Sequence, residues 1–125
     1  MWLCLSDAFL SIVNSDQDPT VLMVRARRRG DIEAVFGPTY PVTTIPGRDY
    51  QFRAFIPREF VGNVIALKLL DIDYTNFKNS VKDRHLHDAY ANVWGIMADL
   101  QEIRPYDTQP RKGFRAHPVR RAGGK

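Results

Sequence analysis

The densest group of side chains that could carry chemistry lies at 73–97, in the run DYTNFKNSVKDRHLHDAYANVWGIM. It holds four aromatics, two histidines, two lysines, one arginine and three aspartates around the start of the longest predicted helix. His87 lies one helical turn from Asp83 and from Tyr90, so Asp83 could hold the imidazole and raise its basicity. With Lys78 just before the helix, this set could bind or cleave a phosphodiester. These four residues are the catalytic candidates.

The aromatic residues of this segment support two other interpretations. Tyr74, Phe77, Tyr90 and Trp94 could be core residues, because aromatic rings bury large areas and a small domain needs them. If they surround a groove between two helices, they would instead bind a protein partner. His85 and His87 point about 200° apart on a helix, so no metal site is predicted there. No cofactor is predicted for the chain.

A second candidate site lies on the predicted sheet. Alternation along 50–56 places Gln51, Arg53 and Phe55 on one face. The other face receives Tyr50, Phe52, Ala54 and Ile56. The strand that carries Arg25 and Arg27 is predicted to lie alongside. An open sheet face with arginines and an aromatic ring can neutralise and stack single-stranded RNA. The Gly-Phe-Gly-Phe-like run of the RNA-recognition fold is absent, and a solvated face, or one covered by the third helix or a second subunit, is the alternative.

The C-terminal part of the chain is predicted to be a basic, disordered tail at 104–125, following a single domain at 1–103. Its composition changes to Pro, Arg, Gly and Lys. Arg111, Lys112 and Arg115 could add affinity for a polyanion, because each neutralised phosphate releases counterions. A tail that only keeps the protein in solution is the alternative.

Composition narrows the class of protein. The chain has 125 residues, 44% hydrophobic residues and a net charge of +4, which are typical of one globular domain and favour a polyanionic partner. Cys4 is the only cysteine, which excludes an intrachain disulfide and a cysteine-based zinc site. The apolar start lacks a basic region, and no run of 18 apolar residues occurs. A cytoplasmic protein without a membrane segment is expected.

Hydrophobic periodicity predicts the element order β-β-α-β-β-α-α. Residues 3–13 form one strand, or two strands broken near Ser6-Asp7, and 21–27 the next. Asp31 is predicted to cap a short helix that ends at Gly37-Pro38. An edge strand at 40–45 and a strand at 50–56 follow. We expect an α+β fold with a four-stranded antiparallel sheet, a permuted ferredoxin-like arrangement with an added C-terminal helix.

Two further helices complete the prediction. Pro57 opens the second, whose buried stripe is predicted to be Val61, Ile65, Leu69 and Ile72. A capping box at 80–83 opens the third, which runs to about Gln101. Its predicted buried stripe consists of Leu86, Tyr90, Val93, Met97 and Leu100.

Four runs of the chain resemble a widespread set of small bacterial proteins, some of them carried by mobile elements. They are FLSIV (9–13), RGDIEAVF (29–36), YQFRAFIP (50–57) and IDYTNFKNSVKDRHLHDAYANVW (72–94). The resemblance covers residues 1 to about 100 and brings no activity, cofactor or catalytic residue with it. It implies a standalone bacterial protein.

Three functions follow as expectations, in order of preference. The first is a small, non-enzymatic protein that associates with nucleic acid or a ribonucleoprotein through the basic sheet face and the tail. The second is a protein-binding inhibitor or accessory factor from a phage or mobile element, of the anti-CRISPR kind, which uses the aromatic third helix. The third is a phosphodiester-acting enzyme that uses His87 and Tyr90. A homodimer is compatible with each of them.

Overall fold

The computed structural model of the protein describes residues 1–102. The strands are β1 (Trp2–Cys4), β2 (Phe9–Asn14), β3 (Val21–Ala26), β4 (Thr43–Thr44) and β5 (Phe52–Pro57). The helices are α1 (Asp31–Phe36), α2 (Arg58–Leu70), α3 (Phe77–Ser80) and α4 (Arg84–Ala98). The predicted tail, with Arg111, Lys112 and Arg115, lies outside the described residues.

The fold is α+β, with one open antiparallel sheet in the order β1-β2-β3-β5-β4, so the predicted class is confirmed. Residues 1–102 contribute five strands to it, where four were expected. The additional strand arises because the first apolar run breaks at Ser6-Asp7 into β1 and β2, which pair with each other. The predicted edge strand at 40–45 is present at the edge, but only Thr43–Thr44 pair with β5.

The core lies on one face of the sheet and is set by the pairing of β3 with β5. Val24 is opposite Ala54 and Ala26 is opposite Phe52, and all four side chains are buried. Because side chains alternate along a strand, residues between these positions lie on the other face. The buried cluster comprises Ala8, Leu10, Ile12, Val24, Ala26, Ile32, Val35, Phe36, Phe52, Ala54, Ile56 and Val61.

Asp31 does not cap α1, so that prediction is wrong. Gly30 is the N-cap, in a left-handed conformation with φ of 92°, and Asp31 is the first helical residue. Its buried carboxylate accepts the backbone N–H of Phe9 at 3.1 Å and two N–H groups of Arg28, at 3.1 and 3.2 Å. A buried carboxylate needs such partners, and these connect α1 to the start of β2.

The second helix begins one residue later than predicted. Pro57 is the last residue of β5 and occupies the N-cap position, and Arg58 is the first helical residue. Val61 is buried, and Ile65 packs against the core. Leu69 and Ile72 are exposed, so only the first half of the predicted stripe is buried. Within residues 1–102, no helix is long and apolar enough to span a membrane.

The chain divides into two compact units, one at Met1–Lys82 and one that starts at Asp83. In the first unit, the Ser80 hydroxyl lies 2.7 Å from the Ser6 hydroxyl and donates to the carbonyl of Phe77. The predicted capping box at Ser80 is wrong, since α4 begins only after Asp83.

In the second unit, Asp83 is the N-cap of α4, and its carboxylate accepts the Leu86 N–H at 2.9 Å. The helix ends at Ala98, three residues before the predicted end. Leu86 and Tyr90 are buried as predicted. The later members of the predicted stripe, Val93, Met97 and Leu100, are exposed.

We predict that Asp31→Ala lowers the free energy of unfolding by about 2 kcal/mol, because the N–H of Phe9 and the Arg28 guanidinium lose a charged acceptor. Glu33→Ala is the matched control, since Glu33 is an exposed carboxylate on the same helix and should change stability by less than about 0.5 kcal/mol. Urea denaturation followed by circular dichroism measures both. Equal effects of the two substitutions would show that the Asp31 contacts do not stabilise the fold.

Candidate nucleic-acid interface

The strand register brings arginines together on the sheet face opposite the core. Arg25 on β3 lies directly opposite Arg53 on β5, and Ser11 on β2 lies opposite Arg25 on its other side. Arg27 follows one residue after β3 ends, in the same alternation. We call Arg25, Arg27 and Arg53 the arginine cluster. Sequence alternation predicted this juxtaposition.

The arginine cluster surrounds Tyr50. The guanidinium carbon of Arg25 lies 4.6 Å from the centre of the Tyr50 ring, and that of Arg27 lies 4.1 Å from it. The side chain of Tyr50 is only 4% exposed, although it is not part of the buried core cluster. Cation–π attraction between partly desolvated groups is worth up to about 2 kcal/mol per pair. The ring therefore holds two cations close together.

The predicted face of Tyr50 is wrong for a local reason. Tyr50 has φ of 55°, in the left-handed region, and β5 begins only at Phe52. A left-handed residue interrupts strand alternation, so Tyr50 does not share the face of Phe52 as predicted. Instead its ring lies under Arg25 and Arg27.

The loop before β5 is tied to the arginine cluster by hydrogen bonds. Arg27 Nη1 donates to Asp49 Oδ1 at 2.7 Å, and this contact raises the pKa of Arg27. Arg53 Nη2 donates to the Asp49 carbonyl at 3.0 Å, and Arg53 Nε donates to the Tyr50 carbonyl at 3.3 Å. Two arginines thus fix the backbone and the carboxylate of one loop.

Arg25 is the most constrained member of the cluster. Its Nη2 donates to the hydroxyl of Ser11 at 2.6 Å, and Ser11 is fully buried. Its Nε is buried and has no hydrogen-bond partner among residues 1–102. A cation held in this way has already lost much of its hydration, so little ordering cost remains when an anion approaches.

The other predicted members of the interface lie beside the cluster. Gln51 Nε2 donates to the carbonyl of Arg27 at 3.4 Å. Phe55 lies two residues beyond Arg53 on β5 and is 55% exposed. The guanidinium of Arg29 lies 5.1 Å from the centre of the ring of Phe52, which is a core residue.

Positive charge is concentrated in the segment that builds this site. Residues 25–53 contain six arginines and three acidic residues. Residues 1–102 as a whole contain eleven basic and thirteen acidic residues, so the rest of the described chain is acidic. One of the three acidic residues, Asp31, is buried against Arg28. A local excess of guanidinium groups on an acidic background favours an anionic ligand at this one place.

The catalytic candidates lie on two helices: Lys78 is on α3, and the other three are on α4 or at its N-cap. Asp83 caps α4 with its carboxylate, while Nδ1 of His87 lies 3.3 Å from Oδ1 of its neighbour Asp88. Tyr90 is buried on the same helix, and Lys78 belongs to α3 in the first unit. Among residues 1–102, no three His, Cys, Asp or Glu side chains converge in a way that could hold a metal ion.

The aromatic candidates for a protein partner are divided between the two units. In the first, the rings of Tyr74 and Phe77 pack against each other with centres 5.7 Å apart, and both are half-buried. In the second, Trp94 is exposed on α4, next to further exposed apolar residues.

Sequence reasoning missed Asp49 and Ser11 and misplaced Tyr50. Between the strands predicted at 40–45 and 50–56, the dipeptide Pro46-Gly47 favours a turn, but it does not predict a left-handed tyrosine three residues later. Ser11 became part of the site only through the pairing of β2 with β3.

Comparison of the chain with models of protein families, with curated proteins and with solved structures finds no match. Function is therefore inferred from the residues of the site.

We predict that Tyr50→Ala lowers the free energy of unfolding by about 3 kcal/mol, because it removes a buried ring and both cation–π contacts. Tyr50→Phe keeps the ring and should cost less than about 1 kcal/mol. Thermal and urea unfolding of the two variants measure the difference. If both variants lost the same stability, the ring would not be what holds Arg25 and Arg27.

Proposed function

We propose that the protein binds nucleic acid, free or within a ribonucleoprotein, through the arginine cluster. The observation that carries the proposal is the convergence of Arg25, Arg27 and Arg53 around one loop, where Asp49 provides the nearby carboxylate. Three guanidinium groups against one carboxylate leave a local positive excess. The planar guanidinium group of an arginine matches the geometry of a phosphate and can bind it through two parallel hydrogen bonds.

The contacts of the cluster allow a phosphate to enter. The side chain of Arg27 is 55% exposed and that of Asp49 is 71% exposed, so their ion pair is solvated. A solvated ion pair is worth at most about 1 kcal/mol, and a phosphate can therefore replace the Asp49 carboxylate at low cost. Tyr50 keeps the Arg25 and Arg27 guanidinium groups near each other during that exchange.

The basic segment at 104–125 would strengthen binding. It contains seven of the eighteen lysines and arginines of the chain, among them Arg111, Lys112 and Arg115. Each of these charges that neutralises a phosphate adds salt-sensitive affinity without sequence preference. In this proposal the arginine cluster positions the ligand and the basic segment increases its residence time.

The strand order supports a binding role for the sheet face. We infer that β3-α1-β4-β5-α2 corresponds to a ferredoxin-like unit, that β2 takes the place of its last strand, and that β1 is an added edge. This arrangement leaves the face of Arg25 and Arg53 opposite the packed core. We further propose that the protein acts in the bacterial cytoplasm and belongs to the set of small bacterial proteins that its sequence resembles.

We predict that Arg27→Gln weakens binding of a labelled single-stranded oligonucleotide and reduces the slope of log K against log salt concentration by about 0.7. Arg84→Gln is the matched control, because Arg84 is exposed on α4 and belongs to the second unit. Fluorescence anisotropy over a salt series measures both. Equal losses for the two variants would assign the binding to net charge rather than to the arginine cluster.

A second function is favoured by the exposed side of α4. On α4, Val93, Trp94, Ile96 and Met97 are exposed, and so is Leu100, two residues after the helix ends. Contiguous patches of exposed apolar side chains often mark protein-interaction sites. This surface suits a protein-binding inhibitor or accessory factor of a phage or mobile element, of the anti-CRISPR kind.

Salt and nuclease separate the two functions. If α4 binds a protein, a tagged chain should retain one stoichiometric bacterial protein after nuclease treatment and in moderate salt, because apolar contacts are little screened. Met97→Glu should abolish that retention, whereas Glu59→Gln on α2 should not. A partner that is released by nuclease, or that Met97→Glu retains, would contradict this second function.

A further inference from the structure

Phe55 is the exposed aromatic ring nearest in the strand pattern to the arginine cluster. It lies on the same sheet face as Arg53, two residues further along β5, and is 55% exposed. Tyr50 and Phe52 are also close to the arginines, but both are buried. Tyr50 lies under Arg25 and Arg27, and Phe52 belongs to the core. Of these three rings, Phe55 offers an accessible face.

The position of Phe55 relative to the charges is fixed by its neighbours. Phe55 is directly opposite Met23 on β3, and the Met23 sulfur lies 3.9 Å from Nη1 of Arg53. Along an antiparallel strand, two residues correspond to about 7 Å. A ligand that meets the guanidinium of Arg53 with a charged group can therefore reach Phe55 with an adjacent flat group.

We infer that the ligand of this face is single-stranded nucleic acid, with one base stacked on Phe55 and a neighbouring phosphate bound by the arginine cluster. The inference rests on the function proposed above and names its ligand class. A duplex keeps the faces of its bases inside the stack, so it can present phosphates to Arg53 but no base face to Phe55. A single strand presents both.

Charge complementarity selects this occupant over a purely apolar one. A protein partner that covered Phe55 with an apolar side chain would place the neighbouring guanidinium groups against an uncharged surface, which costs desolvation energy. A nucleotide combines an aromatic base with an anionic phosphate. Stacking tolerates any base, because every base has a π face, so little sequence preference is expected.

The test compares Phe55→Leu with Phe55→Tyr on a labelled oligo(U) and on a labelled duplex of equal length. Phe55→Leu removes the ring and should weaken binding of the single strand by about tenfold, while leaving the weaker duplex binding unchanged. Phe55→Tyr keeps the ring and should retain single-strand affinity. Phe60→Leu is the matched control, because Phe60 is an exposed ring on α2, the helix whose Val61 packs into the core on the other face of the sheet.

The outcomes separate this inference from the proposed function. If single strand and duplex bind alike, and Phe55→Leu changes neither, stacking is excluded while a loss in Arg27→Gln would still support the arginine cluster. If Phe55→Leu and Phe60→Leu weaken binding equally, the role of Phe55 is not specific and the inference is overturned. If neither ligand binds the wild-type chain at low salt, both the inference and the proposed function are overturned.

Discussion

The register between β3 and β5 determines what each face of the sheet can do. With Val24 opposite Ala54 and Arg25 opposite Arg53, small apolar side chains close the core and the guanidinium groups lie together outside it. A slip of one residue in either strand would turn the arginine of that strand toward the core and expose its apolar residues. The same strand register therefore produces both the core and the charged face. Because burying an arginine costs free energy, other registers are disfavoured.

Cations held this close would repel one another in the absence of compensation. The compensation is provided by the ring of Tyr50, the carboxylate of Asp49 and the carbonyls of the same two residues. The loop that carries Asp49 and Tyr50 therefore reduces the repulsion within the arginine cluster and also fixes its geometry. Because the neutralising groups are mostly a π face and carbonyl dipoles, the cluster keeps a net positive charge.

Features that depend on neighbours in the chain were predictable. The class of fold, the end of α1 at Gly37 and the outward alternation of Arg25 and of Arg53 within their strands followed from alternation and turn residues, and the break at Ser6-Asp7 was one of two alternatives. Contacts between distant segments were not. Asp31 has the right residue type for a cap, but besides the nearby Arg28 its carboxylate accepts the N–H of Phe9, 22 residues earlier. The exposed second half of α4 could not be predicted either, because an apolar stripe does not reveal whether another element covers it.

The pairing of β3 with β5 also affects how the chain reaches its native state. β2 and β3 are joined by a short turn, whereas Ala26 and Phe52 are 26 positions apart. Local hairpins close within microseconds, but long-range pairing must first overcome the entropy of closing a larger loop. In that interval the backbone N–H and C=O groups of β3 that later pair with β5 are unpaired. Two nascent chains can pair there, so slower synthesis and a lower temperature during production favour the native pairing.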